Sequence, residues 1–399
     1  MRRLLLILIF IGSYILVFSQ WTVLTSGTTE WLSGVWFTST DTGYAVGYTG
    51  TILKTTDGTS WTALTSGTTD NLMSVFFVTD NIGFVCGTNG TILKTTNAGA
   101  NWTVSLSGGA TLHEIFFLDQ NNGYAAGEVG TCLKTIDGGA TWTSLSLSTG
   151  NGKVSLFFND VNTGYVVGAG FTDAIMKTTN AGSTWSNIHS NTAEEFASIF
   201  FTDMNNGYCV SDVTDNILKT TNAGATWTSQ PSPTSGGLYA VKFPSTNTGY
   251  IVGGYPSNGV VLKTTNAGTT WTQQNSNTTS PLFDVYFVNN NLGYAVGRYG
   301  TIIKTTNGGT GIEELSNQIN ISIYPNPFTT QTTLQTGSHL NNATLTVDNC
   351  FGQTVAQIKN ISGQTVMLSR DNLATGLYFV RLTQDNQVIA VDKLVITDK

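Results

Sequence analysis

Three carboxylates, Glu114, Glu128 and Asp284, stand in segments that vary along this 399-residue chain. Two carboxyl groups held roughly 5 to 9.5 Å apart across a sugar ring hydrolyse a glycosidic bond, one as acid and the other as base or nucleophile. The same variable segments carry Glu30, Trp31, Tyr48, His113, Tyr239, Phe283, Arg298 and Tyr299. Aromatic faces of this kind stack on sugars or anchor a protein partner. Carboxylates normally face water, so the expectation is a binding face for an unknown glycan or protein ligand, with no catalytic residue. A hydrolase using Glu114, Glu128 or Asp284 is the alternative. His113, His189 and His339 have no ligand spacing around them and there is no Cys-x-x-Cys, so no metal is expected. The glycines fall in hairpins rather than at strand-to-helix turns, which provides no phosphate cradle and leads us to expect no cofactor.

A repeat supplies the scaffold. A Lys-Thr pair recurs at Lys54, Lys94, Lys134, Lys177, Lys219, Lys263 and Lys304, with spacings of 40, 40, 43, 42, 44 and 41. In each copy an apolar run such as Ser74 to Phe77 leads through a polar turn to a stretch like Gly43 to Gly47. A glycine-rich hairpin, a Thr-Ile-Leu-Lys-Thr-Thr segment and an Asn or Asp turn into Trp-Thr follow. These runs are too short and too β-branched for helices. Four short strands per roughly 40 residues is the period of propeller blades. The fold class expected is all-β: a seven-bladed β-propeller followed by a small Ig-like β-sandwich. The hairpin between the second and third strands and the loop entering each blade then share one face, where the chemically equipped residues fall. Binding groups commonly sit on such loops, held by a rigid scaffold.

The seventh copy lacks its tryptophan, while the chain near residue 20 begins with an isolated one. Trp21 to Gly27, WTVLTSG, matches Trp61 to Gly67, WTALTSG. Trp21 to Leu24 is therefore expected to complete the seventh blade by pairing with Thr301 to Thr306. Ring closure removes the exposed edges that a solenoid would keep.

Thr95 to Trp102, with counterparts Thr178 to Trp185, Thr220 to Trp227 and Thr264 to Trp271, resembles the Asp-box, or BNR repeat, of secreted propellers. Its central residues are Asp57, Asn97, Asp137, Asn180, Asn222, Asn266 and Asn307, and the first copy is one residue short. In such a turn the side-chain oxygen accepts backbone N–H bonds, the glycine permits positive φ and the tryptophan packs between blades. Residues recurring in every repeat solve a packing problem, so the lysines and Asn or Asp positions read as structural rather than as rings of ligand sites. With GYAVG and GTILKTT, these motifs resemble the photosystem II stability and assembly factor family from Trp21 to about Gly309. That resemblance implies a seven-bladed propeller and, as a further alternative, an envelope assembly chaperone. Members of the family use an arginine-rich surface, whereas Arg298 is the only arginine of these repeats. Sialidases share Asp-boxes but use three arginines, and xyloglucanases place two catalytic carboxylates across a cleft.

Residues 1–19 combine Arg2 and Arg3 with an apolar run ending in Ser19, which reads as a cleaved signal peptide with no transmembrane segment left afterwards. Formal net charge is -7, and across residues 21–311 nine lysines and Arg298 face seventeen Asp and Glu. A nucleic-acid binder carries a basic face, so none is expected as partner. Cys86, Cys132, Cys209 and Cys350 are expected to be free thiols.

The propeller is assigned to residues 20–311, a linker to 312–320 and a last domain to 321–399, where alternating runs imply about seven strands. This segment resembles the type A C-terminal sorting domain of the type IX secretion system. The residues that carry the likeness are Tyr324, Pro325, Asn326, Pro327, Gly352, Gly376, Tyr378 and Lys393. The resemblance implies the type IX machinery as partner, removal of the tail, and a mature protein that is secreted or on the outer surface of a Gram-negative bacterium after crossing the periplasm.

Overall fold

The computed structural model describes residues 20–147, 154–168, 175–189, 195–255, 258–309, 321–349, 353–384 and 387–398. The expected signal peptide, the linker, Cys350 and Gly352 lie outside these residues. The chain divides into two compact units, Met1–Gly311 and Ile312–Lys399.

Among the described residues the first unit holds seven four-stranded antiparallel sheets. One contains Leu32–Phe37, Gly43–Gly47, Ile52–Thr55 and Thr62–Leu64 in that order, and the others repeat the plan. The first strand of each sheet packs on the first strand of the next, and Leu282–Phe287 packs back on Leu32–Phe37. This cyclic stacking is the architecture of a β-propeller. The sheet that starts with Leu282–Phe287 takes its fourth strand from Thr22–Leu24, with Thr22 opposite Lys304, Val23 opposite Ile303 and Leu24 opposite Ile302. The pairing expected from the isolated tryptophan is present.

The core consists of interfaces between sheets. Tyr294 of the last sheet, for example, stacks on Phe37 of the first at 3.9 Å, with Trp61 edge-on to both. The glycine opening each second strand is needed there: a Cβ on Gly43 would lie 2.5 Å from the Phe37 ring. Cys86, Cys132 and Cys209 are buried and form no disulfide among the described residues.

The Asp-box turns are tied internally and to their neighbours. Asn97 Oδ1 accepts the Asn101 N–H at 2.9 Å and the Thr95 hydroxyl at 3.0 Å. In the shortened first copy Asp57 instead accepts the Thr59 and Ser60 N–H groups at 2.8 and 2.7 Å, and these bonds hold its carboxyl well below the usual range. Asp137, bonded to the hydroxyl and N–H of Thr141, is lowered to about 2.

Across the interfaces Lys54 Nζ donates to the Ala98 carbonyl at 2.8 Å, and Tyr44 Oη donates to the same oxygen at 2.8 Å. The pattern passes from sheet to sheet until Lys304 and Tyr294 both reach Gly58 O at 3.0 Å. All seven repeated lysines donate in this way.

The gripped residue has a left-handed backbone: Ala98, Ala181, Ala223 and Ala267 have φ between 54° and 58°, where the other three turns place Gly58, Gly138 and Gly308. Relieving the Cβ clash should outweigh glycine's extra unfolded-state freedom. Each Ala→Gly change at these four positions should therefore raise unfolding free energy by about 0.5–1 kcal/mol. Denaturant titration of the quadruple variant checks this, and a lowered midpoint would refute it.

The second unit has five strands among the described residues rather than about seven. Gln331–Asn349 and Thr354–Ser369 are each continuous where the sequence pattern suggested two strands apiece. Register shifts between Gln335 and Leu345 mark the break the pattern detected. The early half of Gln331–Asn349 pairs with Ile321–Tyr324 and the later half with Gly376–Gln384, while one apolar cluster unites Leu334, Leu345, Val380 and Leu394.

Candidate functional site

The first strands surround the ring axis, and alternate residues on them point inward. Trp36, Phe76, Phe116, Phe157, Phe200 and Tyr286 are penultimate in their strands, and Lys242, which ends Gly237–Lys242, takes the corresponding place before Phe243. Six are aromatic and lie in sequence around the axis, with Trp36 4.3 Å from Phe76 and 4.9 Å from Tyr286. Lys242 takes the remaining place, its Nζ 5.8 Å from the centre of the Phe200 ring.

An axial cavity of about 240 Å³ adjoins this aromatic ring and is also lined by Ser74, Glu114, Lys242 and Asp284. Glu114 and Asp284 sit at the same strand position in different sheets, each beside a register shift after the first residue of its strand. Asp284 Oδ2 accepts the Val35 N–H of the next sheet at 2.9 Å, and Oδ1 accepts its own Val285 N–H at 2.9 Å. Ser74 Oγ lies 3.4 Å from Glu114 Oε1 and accepts the Ile115 N–H at 3.4 Å. Ser155 and Ser198 make the same bond to Ile199 and Val241 in the following sheets. A polar atom at this position thus links successive first strands.

One residue earlier on several of these strands begins a second cavity, of about 210 Å³, lined by Trp31, Tyr48, Met73, His113, Tyr239 and Phe283. Trp31 lies 5.2 Å from Tyr48 and 5.8 Å from Phe283, and Tyr239 meets Phe283 edge-on at 5.4 Å. The Arg298 guanidinium covers Trp31 at 4.2 Å. Entry loops and hairpins are joined by backbone bonds, such as Tyr48 N–H to Trp31 O at 2.9 Å, which fixes the aromatic collar to the scaffold.

The structure thus brings Trp31, Tyr48, His113, Tyr239 and Phe283 together, with Arg298 against them, and places Glu114 and Asp284 in the adjoining axial cavity. Glu128 lines neither cavity and meets His113 Nε2 at 3.4 Å. Tyr299 is 64% exposed and borders a separate open groove beside Val23–Thr29. Glu128 and Tyr299, expected on the same face, thus line neither of these two cavities. The sequence reading missed Lys242 and the aromatic floor. Their signal was the penultimate residue of each apolar run, aromatic in six copies and lysine in one. No group of three or more His, Cys, Asp or Glu forms a metal site, and no helix is long and apolar enough to cross a membrane, among the described residues.

In the second unit Asn326 bridges to the last strand, its Nδ2 donating to Lys393 O at 2.8 Å and its Oδ1 accepting the Val395 N–H at 2.9 Å. Pro325 O accepts the Thr332 hydroxyl at 2.6 Å, and Tyr378 Oη donates to Ala374 O at 2.9 Å. Tyr324 is exposed. Gly376 begins the strand that pairs with Ile396, and Pro327 precedes the bridge from Phe328 to Ile396.

Comparison with known proteins gives three kinds of finding. The family model described as photosynthesis system II assembly factor YCF48 matches residues 15–109 and 103–238. That described as a secretion system C-terminal sorting domain matches residues 322–397. No curated protein matches the chain. Among solved structures, YCF48 bound to D1 peptide is similar at 20% identity and a TM-score of 0.61, over 72% of this chain and 97% of that one. YCF48 from Cyanidioschyzon merolae gives 19% and 0.60, over 71% and 98%. The GH74 xyloglucanase from Xanthomonas campestris gives 14% and 0.58, over 80% and 60%. These likenesses concern the fold. With more than half its length matched by the first family model, and its C-terminal part by the second, the chain belongs to the photosynthesis system II assembly factor YCF48 family and carries a secretion system C-terminal sorting domain.

Proposed function

We propose that the chain is an exported seven-bladed propeller that binds a glycan or protein partner through its axial mouth and catalyses no reaction. In this reading residues 1–19 are a signal peptide, 20–311 the propeller, 312–320 a linker and 321–399 a small Ig-like sandwich that engages the type IX machinery. The mature protein is secreted or held at the outer surface of a Gram-negative cell after passing through the periplasm.

The supporting observation is the division of labour among polar and aromatic groups. Side chains from different sheets converge on the collar around Trp31, while Asp284 is engaged with the N–H of the neighbouring sheet and Glu128 with His113. Aromatic collars bind; carboxylates committed to the scaffold are poorly disposed to exchange protons with a substrate. The seven Asp-box side chains serve the turns in this reading, and Tyr324, Asn326, Gly376, Tyr378 and Lys393 serve the sorting domain.

One observation favours a hydrolase instead: Glu114 and Asp284 share a cavity, and the xyloglucanase has a similar fold. The full chain should be assayed for turnover of xyloglucan and sialosides and screened on a glycan array and against cell-envelope proteins. We expect no turnover, and binding that Trp31→Ala weakens by roughly 10-fold, the scale of a lost aromatic anchor. Turnover abolished by Glu114→Gln would overturn the binding reading.

A further inference from the structure

The last strand of the second unit, Gln387–Ile396, ends its sheet, paired on one side with Gly376–Gln384. Among the described residues no strand pairs with its other side, where Phe328 makes one isolated bridge. A cap of mixed origin covers part of that edge. The Phe328 N–H donates to Val395 O at 3.1 Å, and the Phe328 carbonyl accepts the Thr397 N–H at 3.0 Å. The Asn326 side chain copies a peptide group, donating to Lys393 O at 2.8 Å and accepting the Val395 N–H at 2.9 Å. The Lys393 N–H turns to the Asp392 carboxylate at 2.7 Å. Pro325 and Pro327 have no N–H to donate, so this segment cannot continue as a paired strand. Since Val395 bonds outward, the two-residue period of a strand turns the backbone groups of Val391 the same way. Among the described residues the Val391 N–H and carbonyl form no hydrogen bond. The open end of the edge borders an apolar stripe. Leu377, Phe379 and Val391 are 42–44% exposed on one sheet face, with Leu377 opposite Val395 and Phe379 opposite Lys393. The solvated face of an antiparallel sheet is ordinarily polar.

We infer that this edge receives an extended segment of a protein partner, which pairs first at Val391 and then takes over Lys393 and Val395 as the Asn326 amide swings out. Main-chain bonds give an added strand its affinity, and alternate side chains its specificity. Here the alternate residues are apolar and lie beside Val391 and Val395, extending the stripe. Phe328 keeps its place, because it is 2% exposed and its ring belongs to the core. Asn326 is free to move, flanked as it is by the exposed Tyr324, Pro325 and Pro327. Until the partner arrives, prolines and amide keep the edge from pairing with other chains. The inference rests on the reading that the second unit engages the type IX machinery, and it names the surface and the form of that contact.

The test is the initial rate at which a bacterium with a type IX system exports the full chain. Val391→Pro removes an outward N–H and leaves the ladder to Gly376–Gln384 in place, since an edge strand tolerates proline there. It should lower export by about 10-fold, the scale of one backbone group left unpaired at an interface. Val391→Thr keeps the N–H and should export as the parent does. Asn326→Ala opens the edge in advance and should raise export by about 2- to 10-fold, the scale of the hydrogen bonds no longer displaced. Hydrogen exchange at the Leu394 amide, which faces Tyr378 in the inner ladder, reports whether Val391→Pro keeps its sheet; if it does not, Asn326→Ala alone decides. Parental export of Val391→Pro with that amide still protected would overturn the inference. So would unchanged or lowered export of Asn326→Ala, or its pairing with a second copy in place of faster export. Equal export of the parent by cells with and without the type IX system would instead sink the reading beneath.

Discussion

Removal of Trp21 to Leu24 should lower the stability of the ring by at least about 3 to 5 kcal/mol, the cost of one large buried aromatic. Trp21 is fully buried, edge-on to Phe287 at 5.8 Å and to Tyr250 at 6.4 Å. Its carbonyl accepts the Asn277 amide at 2.7 Å. Deletion would also strip the partner from Ile302–Thr305 and create a free edge of the kind that pairs with other chains. Trp21→Ala isolates the aromatic contribution, and Val23→Thr, at a half-exposed site on the same strand, should leave stability nearly unchanged. Denaturant unfolding of the full chain distinguishes them. An unaltered midpoint after deletion would mean that the strand is dispensable for closure.

The second large effect is alkaline. Burial raises Tyr44, Tyr124, Tyr165, Tyr208 and Tyr294 to about 12, and raises Tyr250 further. For Tyr44 the Asp80 charge adds to burial, as Asp160 does for Tyr165. A phenol is neutral when protonated, and here the folded state holds its proton more tightly than the unfolded chain, whose tyrosines titrate near 10. Stability is therefore complete below pH 10 and falls as pH rises through 12. Each pKa unit corresponds to at most about 1.4 kcal/mol once solvent screening is allowed for, so five phenols shifted by about two units together approach the scale of a typical folding margin of about 5–15 kcal/mol. The ring should unfold cooperatively between pH 10 and 12, with tyrosinate absorbance and near-UV circular dichroism changing together. Tyrosines that ionise near pH 10 while the near-UV spectrum persists would contradict this account. Phe84, which fills the equivalent place in the second repeat without a hydroxyl, shows that the aromatic ring itself fits; Tyr→Phe variants should resist alkali better than the parent.

The scaffold was legible because its instructions are local and repeated. A period near 40, glycines at fixed offsets and a tryptophan missing from one end but present at the other pointed to the repeated sheets and to the pairing of Thr22–Leu24. The lysine-to-carbonyl grip was not legible, since it joins residues of different repeats through backbone oxygens, and sequence identity carries little information about a backbone acceptor. Loop position predicted one shared face for Trp31, Tyr48, His113, Tyr239 and Phe283, and these residues line one cavity. It did not reveal that Glu128 and Tyr299, on hairpins, would lie outside the two cavities: Glu128 meets His113, and Tyr299, with φ of 56°, is largely exposed. In the second unit, run-counting saw two strands wherever one long strand bends.

The grip that runs around the ring also has a meaning in time. Lys304 and Tyr294 hold the turn at Gly58 across 246 and 236 residues of sequence, and Thr22–Leu24 waits for Ile302–Thr305. Contacts of such long sequence separation form slowly, because the intervening chain must be gathered before they repay its lost freedom. The strand of the ring that comes earliest in the sequence is consequently the last to be fixed. Until the end of the seventh repeat has been made, the interface between the last sheet and the first cannot form, and the ring remains an unclosed precursor.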